Sequence, residues 1–238
     1  MTLSSGPQGL IQALPGRKAL VSVAPIHADK PVGTTNGAVA LTFDDGPHPV
    51  WTPRVMEALR NADATATFFV VSPLARRFPH LVSEMRAAGH VVELHCGRHI
   101  RHTELTREQV EGDTSSALRD LQEIGVSPRF WRPPWGILAP WTAEIAGDYG
   151  LTLAPWTADT HDWRGDGAPE MIEAISPVLG PSAVVLMHDG LGPGARRSGC
   201  EETVALIDTL VYHIRLLGCE PATMGAVRSA PTGPGAKV

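Results

Sequence analysis

The sequence predicts an α/β fold in which parallel strands alternate with outer helices and form a closed or nearly closed barrel. Short apolar segments alternate along the chain with longer segments of helical periodicity. Polar residues capable of chemistry follow several of the apolar segments, and the carboxyl ends of parallel strands meet at one edge of such a fold. The predicted strands are 38–43, 65–71, 91–95, 129–132, 152–155, 183–187 and 221–224, and the predicted helices are 53–61, 74–88, 107–124, 141–149, 169–178 and 201–217.

Length and composition predict one principal domain. The chain has 238 residues, of which 43% are hydrophobic, which is enough for one sizeable core and too short for two comfortable domains. Residues 37–228 form the predicted catalytic domain, 1–36 a Pro- and Gly-punctuated N-terminal extension, and 229–238 a flexible tail. Thr106 and Gln109 have the spacing of a capping box at the start of a helix, and Gly218 ends the last one.

The first candidate site is Asp44-Asp45, where an apolar strand breaks into a Gly-Pro turn. Neighbouring side chains on a strand point to opposite faces, so the turn must redirect the two carboxylates for them to share a pocket. Their mutual repulsion would be relieved if one bound a metal ion and the other stayed ionised as a general base. The alternative is an acidic turn that caps the following helix.

Nitrogen ligands for such an ion follow the third predicted strand. His95 and His99 are four residues apart and reach one face if the chain coils after the strand. Two histidines and one aspartate would leave a tetrahedral ion with an open position, which favours Zn²⁺ first and then Co²⁺ or Ni²⁺. His90 and His102 lie nearby, and His102 is the main rival to His99. Cys96 could be a filler, a neighbouring donor or a soft ligand.

Three later segments also end predicted strands. Prolines after Arg132 would fix the backbone N–H of Trp135, which could bind an oxyanion beside the metal. The segment 156–163 offers two carboxylates and two tryptophans, and the strand 183–187 ends at His188, whose pKa the following Asp189 would raise. Taken singly, these segments could be a proline-rich loop over core tryptophans, a helix cap and a structural histidine.

In this order, the motifs TFDDGP, HxxxH, RPPW, DxxDW and LxH resemble those of the polysaccharide deacetylases with a NodB homology domain, carbohydrate esterase family 4. The resemblance covers residues from about 38 to 224 and implies a distorted (β/α)₇ barrel. Two single residues depart from the family pattern: Cys96 stands where Ser or Thr is common, and Trp135 stands where Tyr is more frequent. The residues 100–102 also replace a short proline-containing stretch.

The resemblance implies a division of roles around a divalent metal ion. Asp44 would be the general base, oriented by a charge-assisted hydrogen bond from Arg132. Asp45, His95 and His99 would hold the ion.

The remaining implied roles concern the substrate. The backbone N–H of Trp135 would share the oxyanion with the metal, and His188 would protonate the departing amine. Asp159 would tether His188, while Trp163 and Leu186 would wall a small pocket for the acetyl methyl group.

The function predicted from these motifs is metal-dependent hydrolysis of an N-acetyl amide on an amino sugar or glycan, releasing acetate. Alternatives are an acetyl-ester esterase acting on substrates such as acetyl xylan, an amidase or imidase acting on a small non-sugar substrate, and a non-catalytic sugar-binding module. The expected partner is a carbohydrate or N-acetylated small molecule.

Composition argues against nucleic acid and a membrane span. A formal net charge of −5 and scattered basic residues argue against nucleic acid. The sequence contains no run of about 20 apolar residues, so it predicts no membrane span. The segment 1–33 lacks the pattern of a secretory signal, so the sequence as it stands predicts a cytoplasmic protein, or a secreted one if a signal has been removed. An odd number of cysteines, 3, predicts free thiols.

Overall fold

The computed structural model describes residues 37–225. The predicted N-terminal extension, 1–36, and the predicted tail, 229–238, lie outside the described residues, as do the last residues predicted for the catalytic domain.

The described chain forms one parallel sheet of eight strands. The strands run in the order β5-β4-β3-β2-β1-β7-β6, and β8 pairs with β1. Within residues 37–225 no hydrogen-bonded pairing joins β5 to β6, so the curved sheet stays open on that side. The strands are β1 Ala38–Asp44, β2 Thr67–Val71, β3 Val91–Cys96, β4 Phe130–Trp131, β5 Thr152–Leu153, β6 Ala158–Asp159, β7 Val184–His188 and β8 Glu220–Ala222.

The sequence missed one strand. β6 is only two residues long, Ala158–Asp159, and pairs with Val185 and Leu186 of β7. A segment this short carries too few residues for a strand period to be visible. Its consequence is local, because β6 carries the chain past the end of β7, where the polar residues gather.

Seven α-helices connect the strands in the described part of the chain. They are α1 Trp51–Asn61, α2 Ser72–Arg77, α3 Pro79–Ala87, α4 Arg107–Glu123, α5 Thr142–Asp148, α6 Ala168–Ile175 and α7 Glu201–Leu216. None of them is both long enough and apolar enough to cross a bilayer. The capping box predicted at the start of α4 is confirmed, with Gln109 N–H donating to Thr106 and the Gln109 side chain accepting from the Thr106 N–H.

Two predicted helices were wrong in extent. The single helix expected over 74–88 is two helices, because Phe78 has φ −126° and ψ 56°. Pro79 follows it, and a proline disfavours the helical conformation in the residue before it. The helix expected over 169–178 ends at Ile175 and continues as a 3₁₀ turn, Ser176–Val178, that contains Pro177.

The central strand β1 shows how the core positions the polar residues. Val39, Leu41 and Phe43 are completely buried in the main apolar cluster. The register of β1 with β7 then places Asp44 directly beside His188. Because β3 and β4 end at the same edge, their terminal residues meet β1 there.

Candidate active site

The turn after β1 brings both aspartates to one pocket. Asp44 is the last residue of the strand, and Asp45 adopts a left-handed conformation with φ 73°. This left-handed turn ends the alternation of side chains between the two faces of the sheet, so Asp45 need not point away from Asp44. Glycines permit close approach here, since a Cβ on Gly46 would collide with the Asp189 carboxylate and one on Gly192 with the Asp45 carboxylate.

Asp45, His95 and His99 come together as a compact trio. The Asp45 Oδ1 atom lies 3.3 Å from His95 Nε2 and 3.1 Å from His99 Nε2. Oδ1 of Asp45 and Nε2 of His95 are buried and yet make no hydrogen bond to any described residue. Burial alone would raise the pKa of Asp45, but the two histidines hold it well below its usual value. Such unsatisfied buried atoms fit a shared divalent cation.

The ring of His95 is oriented for metal binding by a backbone contact. Its Nδ1 lies 2.6 Å from the carbonyl oxygen of Arg132, so Nδ1 carries the proton and donates it. The lone pair of His95 is then on Nε2, the atom that faces Asp45. A backbone acceptor behind a metal-binding imidazole commonly fixes its tautomer in this way.

Geometry favours His99 over its rival His102 as the second histidine. His102 is buried, its Nδ1 lies 3.0 Å from Thr142 Oγ1, and its ring packs on Trp131. Burial lowers the pKa of His102 to about 4. Cys96 is also buried, and its sulfur is not among the atoms that converge with Asp45 in the described part of the chain. Burial raises the pKa of the Cys96 thiol well above its usual value, so it stays protonated.

The predicted pairing of Arg132 with Asp44 is present. Arg132 Nη1 donates to Asp44 Oδ1 at 2.8 Å and to Thr42 Oγ1 at 2.8 Å. Nε of the same guanidinium donates to the Ala154 carbonyl at 3.0 Å. Its plane lies over the ring of Phe69, with 4.2 Å between the guanidinium carbon and the ring centroid. These contacts fix one Asp44 oxygen in a buried, charge-assisted hydrogen bond.

The predicted tether of His188 was wrong. Asp162, not Asp159, holds the imidazole: Oδ1 of Asp162 lies 2.7 Å from His188 Nδ1, and Oδ2 accepts the His188 backbone N–H at 2.9 Å. Asp159 instead accepts the backbone N–H of His161 at 2.8 Å. The physical reason is the left-handed conformation of His161, φ 58°, which starts a 3₁₀ turn that directs Asp162 inward beneath β7.

The charge on His188 follows from this contact. Burial alone would lower the pKa of His188, but the charge and hydrogen bond of Asp162, together with Asp45 and Asp44, raise it to about 9. The expectation that Asp189 would raise the pKa of His188 was wrong. The Asp189 carboxylate accepts a hydrogen bond from Thr52 instead, and burial raises its own pKa to about 7. In the metal-free protein the imidazole of His188 is therefore protonated at neutral pH.

Sequence reasoning missed Arg197, which supports the same pair. Its Nη1 donates to Asp162 Oδ2 at 3.0 Å, and its Nη2 donates to the His188 carbonyl at 3.0 Å. Thr203 Oγ1 adds a further hydrogen bond to Asp162 Oδ2 at 2.8 Å. No sequence signal identified Arg197, since an Arg-Arg pair in a Gly-rich segment usually indicates a solvated loop.

The metal-binding trio, Asp44, His188 and Arg197 all line one cavity of about 370 Å³. Its polar floor contains Asp44, Asp45, His95 and His188, and the predicted substrate residues Trp135, Trp163 and Leu186 line it as well. Trp135 has φ 54°, and its ring packs edge-on against His99, with 4.2 Å between centroids. A cavity of this size that combines apolar walls with convergent polar groups is typical of a small-ligand or active site.

Comparison with known proteins identifies the family of this chain. A family model described as polysaccharide deacetylase matches residues 32–154. A chitooligosaccharide deacetylase of Sinorhizobium fredii is 33% identical over 185 residues, 75% of this chain and 86% of that protein. A peptidoglycan-N-acetylglucosamine deacetylase of Bacillus cereus is 31% identical over 183 residues, 76% of this chain and 83% of that protein.

A solved structure gives the same result for the fold. The family 4 carbohydrate esterase from Streptomyces lividans, in complex with acetate, superposes with a TM-score of 0.70 and 31% identity, covering 78% of this chain and 92% of that one. The half-open parallel barrel thus has the fold of a NodB-type hydrolase. The chain belongs to the polysaccharide deacetylase family, carbohydrate esterase family 4. The family and the distorted barrel predicted from the motifs are therefore confirmed.

Proposed function

We propose that this protein hydrolyses the N-acetyl amide of an amino sugar within a glycan, releasing acetate and a free amine. One observation carries the proposal. A trio able to bind a metal lies in one cavity between two buried pairs, Asp44 with Arg132 and His188 with Asp162. The relatives named chitooligosaccharide and peptidoglycan-N-acetylglucosamine deacetylases support the choice of an N-acetylated amino sugar.

Asp45, His95 and His99 would hold the metal ion. One carboxylate oxygen and two imidazole nitrogens suit Zn²⁺ best, with Co²⁺ and Ni²⁺ as substitutes. The ion would supply Lewis acidity, which stabilises negative charge on a carbonyl oxygen and makes water a stronger acid. The remaining steps depend on the side chains around it.

Asp44 would accept the proton of the attacking water. Arg132 occupies its Oδ1, which fixes the carboxylate and leaves Oδ2 to receive the proton. The same Arg132 offers its backbone carbonyl to His95, so one residue orients both the base and a candidate ligand of the metal. General base catalysis by a positioned carboxylate contributes about 10²–10⁴-fold in rate.

His188 is placed to protonate the departing nitrogen. An amine leaves poorly unless it receives a proton, and Asp162, which holds the Nδ1–H of His188, raises the pKa of that imidazole and so favours its protonated form. The Nε2–H is then the proton available to the substrate. This protonated acid favours amide over ester hydrolysis, since an alkoxide leaving group needs less help.

Two wall features complete the proposed site. The backbone N–H of Trp135 is assigned to the oxyanion that forms on the acetyl carbonyl, where a fixed donor stabilises developing charge. Trp163 and Leu186 line the same cavity and offer apolar surface to the acetyl methyl group.

Acetate release tests the proposal. The protein is freed of metal with a chelator, reloaded with Zn²⁺, and incubated with N-acetylglucosamine oligomers, acetyl xylan and small N-acetyl amides. We expect acetate from the amino-sugar oligomers, with His188→Ala losing at least about 10²-fold in kcat while retaining its metal. Metal binding without acetate release from any acetylated sugar would instead indicate a binding module.

A further inference from the structure

Arginines and aspartates line the cavity of the candidate active site in equal number, although the chain as a whole carries a formal charge of −5. Three arginines line the cavity: Arg101, Arg196 and Arg197. Arg197 is engaged by Asp162 and the His188 carbonyl. Arg101 and Arg196 have no role in the chemistry proposed above, so their presence in the wall needs another explanation.

Arg101 lies over an aromatic wall of the cavity. Its guanidinium carbon is 4.3 Å from the ring centroid of Trp135, which in turn packs against His99. Its ion pair is with Glu104, at 3.1 Å, and the two side chains are 43% and 56% exposed. A pair this exposed contributes little, so most of the Arg101 N–H donors remain available to a ligand.

Arg196 lies over a second aromatic wall, at a greater distance. Its backbone N–H donates to the Trp163 carbonyl at 2.8 Å, and its guanidinium carbon lies 5.8 Å from the Trp163 ring centroid. Within residues 37–225 no carboxylate lies within ion-pair distance of Arg196. An arginine stacked on a tryptophan keeps the edge of its planar fork free, and that edge matches carboxylate and phosphate oxygens.

The acidic residues of the cavity do not neutralise these two arginines. Asp44 is paired with Arg132, Asp45 belongs to the metal-binding trio, and Asp159 accepts from His161. The outer part of the cavity therefore offers cationic donors beside apolar aromatic faces, those of Arg196 without an ion pair among residues 37–225 and those of Arg101 with only the exposed Glu104. A neutral glycan would offer those donors no charged partner.

We propose that the substrate is an anionic N-acetylated glycan, whose carboxylate or phosphate group is bound by Arg101 and Arg196 while the acetyl group lies at the metal-binding trio. The inference rests on the proposed function and narrows its substrate class. Charge-assisted hydrogen bonds from arginine are strong and geometrically specific, so they would discriminate against an uncharged oligosaccharide of the same length.

Matched oligosaccharides test the inference. Acetate release is measured with a neutral N-acetylglucosamine tetramer, with a tetramer of equal length in which alternate sugars carry a lactyl-ether carboxylate, and with a phosphate-substituted tetramer. We expect kcat/KM to favour one of the anionic tetramers over the neutral one by about 10-fold, and the preference to shrink as salt is raised. Whichever anionic tetramer is preferred identifies the group.

Arginine variants test which residues cause the preference for an anionic tetramer. Arg101→Gln and Arg196→Gln are each expected to raise KM for the preferred anionic tetramer and erase most of its advantage. Arg164→Gln is the matched control, since Arg164 also stacks on Trp163, at 5.4 Å, but does not line the cavity. Calorimetry on metal-free protein gives a second reading, with tighter binding of the preferred anionic tetramer than of the neutral one.

The outcomes separate the two proposals. Equal or greater kcat/KM on the neutral tetramer, or an equal loss on all tetramers in the two Gln variants, overturns the anionic substrate and leaves deacetylation standing. No acetate from any tetramer, with metal bound, overturns the proposed function and the inference with it.

Discussion

Asp162 holds His188 from two sides: one carboxylate oxygen lies 2.7 Å from the imidazole Nδ1, and the other accepts the His188 backbone N–H at 2.9 Å. The carboxylate is completely buried. The position and the protonation of the proposed acid thus depend on one residue, which lies on the short 3₁₀ turn after β6 rather than on a strand.

Replacing the Asp162 carboxylate should distinguish the roles of the two aspartates in the DxxDW motif. Asp162→Asn keeps the shape but removes the charge that keeps His188 protonated, so we expect kcat to fall by about 10²-fold or more. Asp159→Asn is the matched control, and its smaller effect should reflect only the lost contacts to His161. Steady-state acetate release measures both. A larger loss of kcat in Asp159→Asn than in Asp162→Asn would instead support Asp159 as the residue that holds His188.

The pH profile should report the charge on His188. Because activity requires the protonated imidazole, and its pKa in the metal-free protein is raised to about 9, the rate should fall as pH rises through the alkaline limb. A bound divalent ion repels the imidazolium and moves that limb downward. Asp162→Asn should move the alkaline limb to still lower pH, since the charge of Asp162 makes the largest contribution that raises the pKa of His188. An alkaline limb unchanged in Asp162→Asn would remove His188 from the role of acid.

Arg197 should shift the same limb in the opposite direction. Its guanidinium shares Asp162 with His188, so Arg197→Met leaves the carboxylate charge to the imidazole alone and raises the imidazole pKa. The other charged groups facing His188 are Asp44 and Asp45, which the variant leaves in place. We expect a lower kcat with the alkaline limb at higher pH, and partial recovery of both in Arg197→Lys. A fall in kcat with no movement of the limb would mean that Arg197 merely anchors its loop.

Metal content should distinguish His99 from His102. His99→Ala removes an atom that lies 3.1 Å from Asp45 Oδ1, so we expect a loss of Zn²⁺ affinity of at least about 10-fold. His102→Ala removes a buried ring that contacts Thr142 and Trp131, so we expect lower thermal stability with metal retained. Metal analysis after dialysis, with a melting curve for each variant, measures the difference. Retention of Zn²⁺ by His99→Ala and its loss from His102→Ala would reverse the assignment.

Much of the arrangement is predictable because β1, β3 and β7 have strong apolar patterns and end in polar residues. Parallel strands bring their carboxyl ends together, so the amino-acid pattern alone predicts that Asp44, His95 and His188 lie at one edge of the sheet. The features that the pattern does not reveal depend on backbone torsion. The break at Phe78, the two-residue strand β6 and the left-handed His161 are local conformations that have no period in the sequence.

The tether of His188 shows how such a local conformation decides a functional contact. Asp159 and Asp162 are equivalent as letters in the motif, and both follow an apolar segment. Only the turn at His161 decides which carboxylate reaches the imidazole. Arg197 is a similar case, because its importance comes from a loop that crosses back over β7 and not from any motif of its own.

The division of roles between the two neighbouring carboxylates is tested most directly by comparing Asp44→Asn with Asp45→Ala in metal content and acetate release. We expect Asp44→Asn to bind Zn²⁺ like the unmodified protein but to lose at least about 10²-fold in kcat, whereas Asp45→Ala should lose both metal and activity. Full Zn²⁺ binding by Asp45→Ala, or full activity in Asp44→Asn, would contradict the central claim that one carboxylate binds the metal and the other transfers the proton.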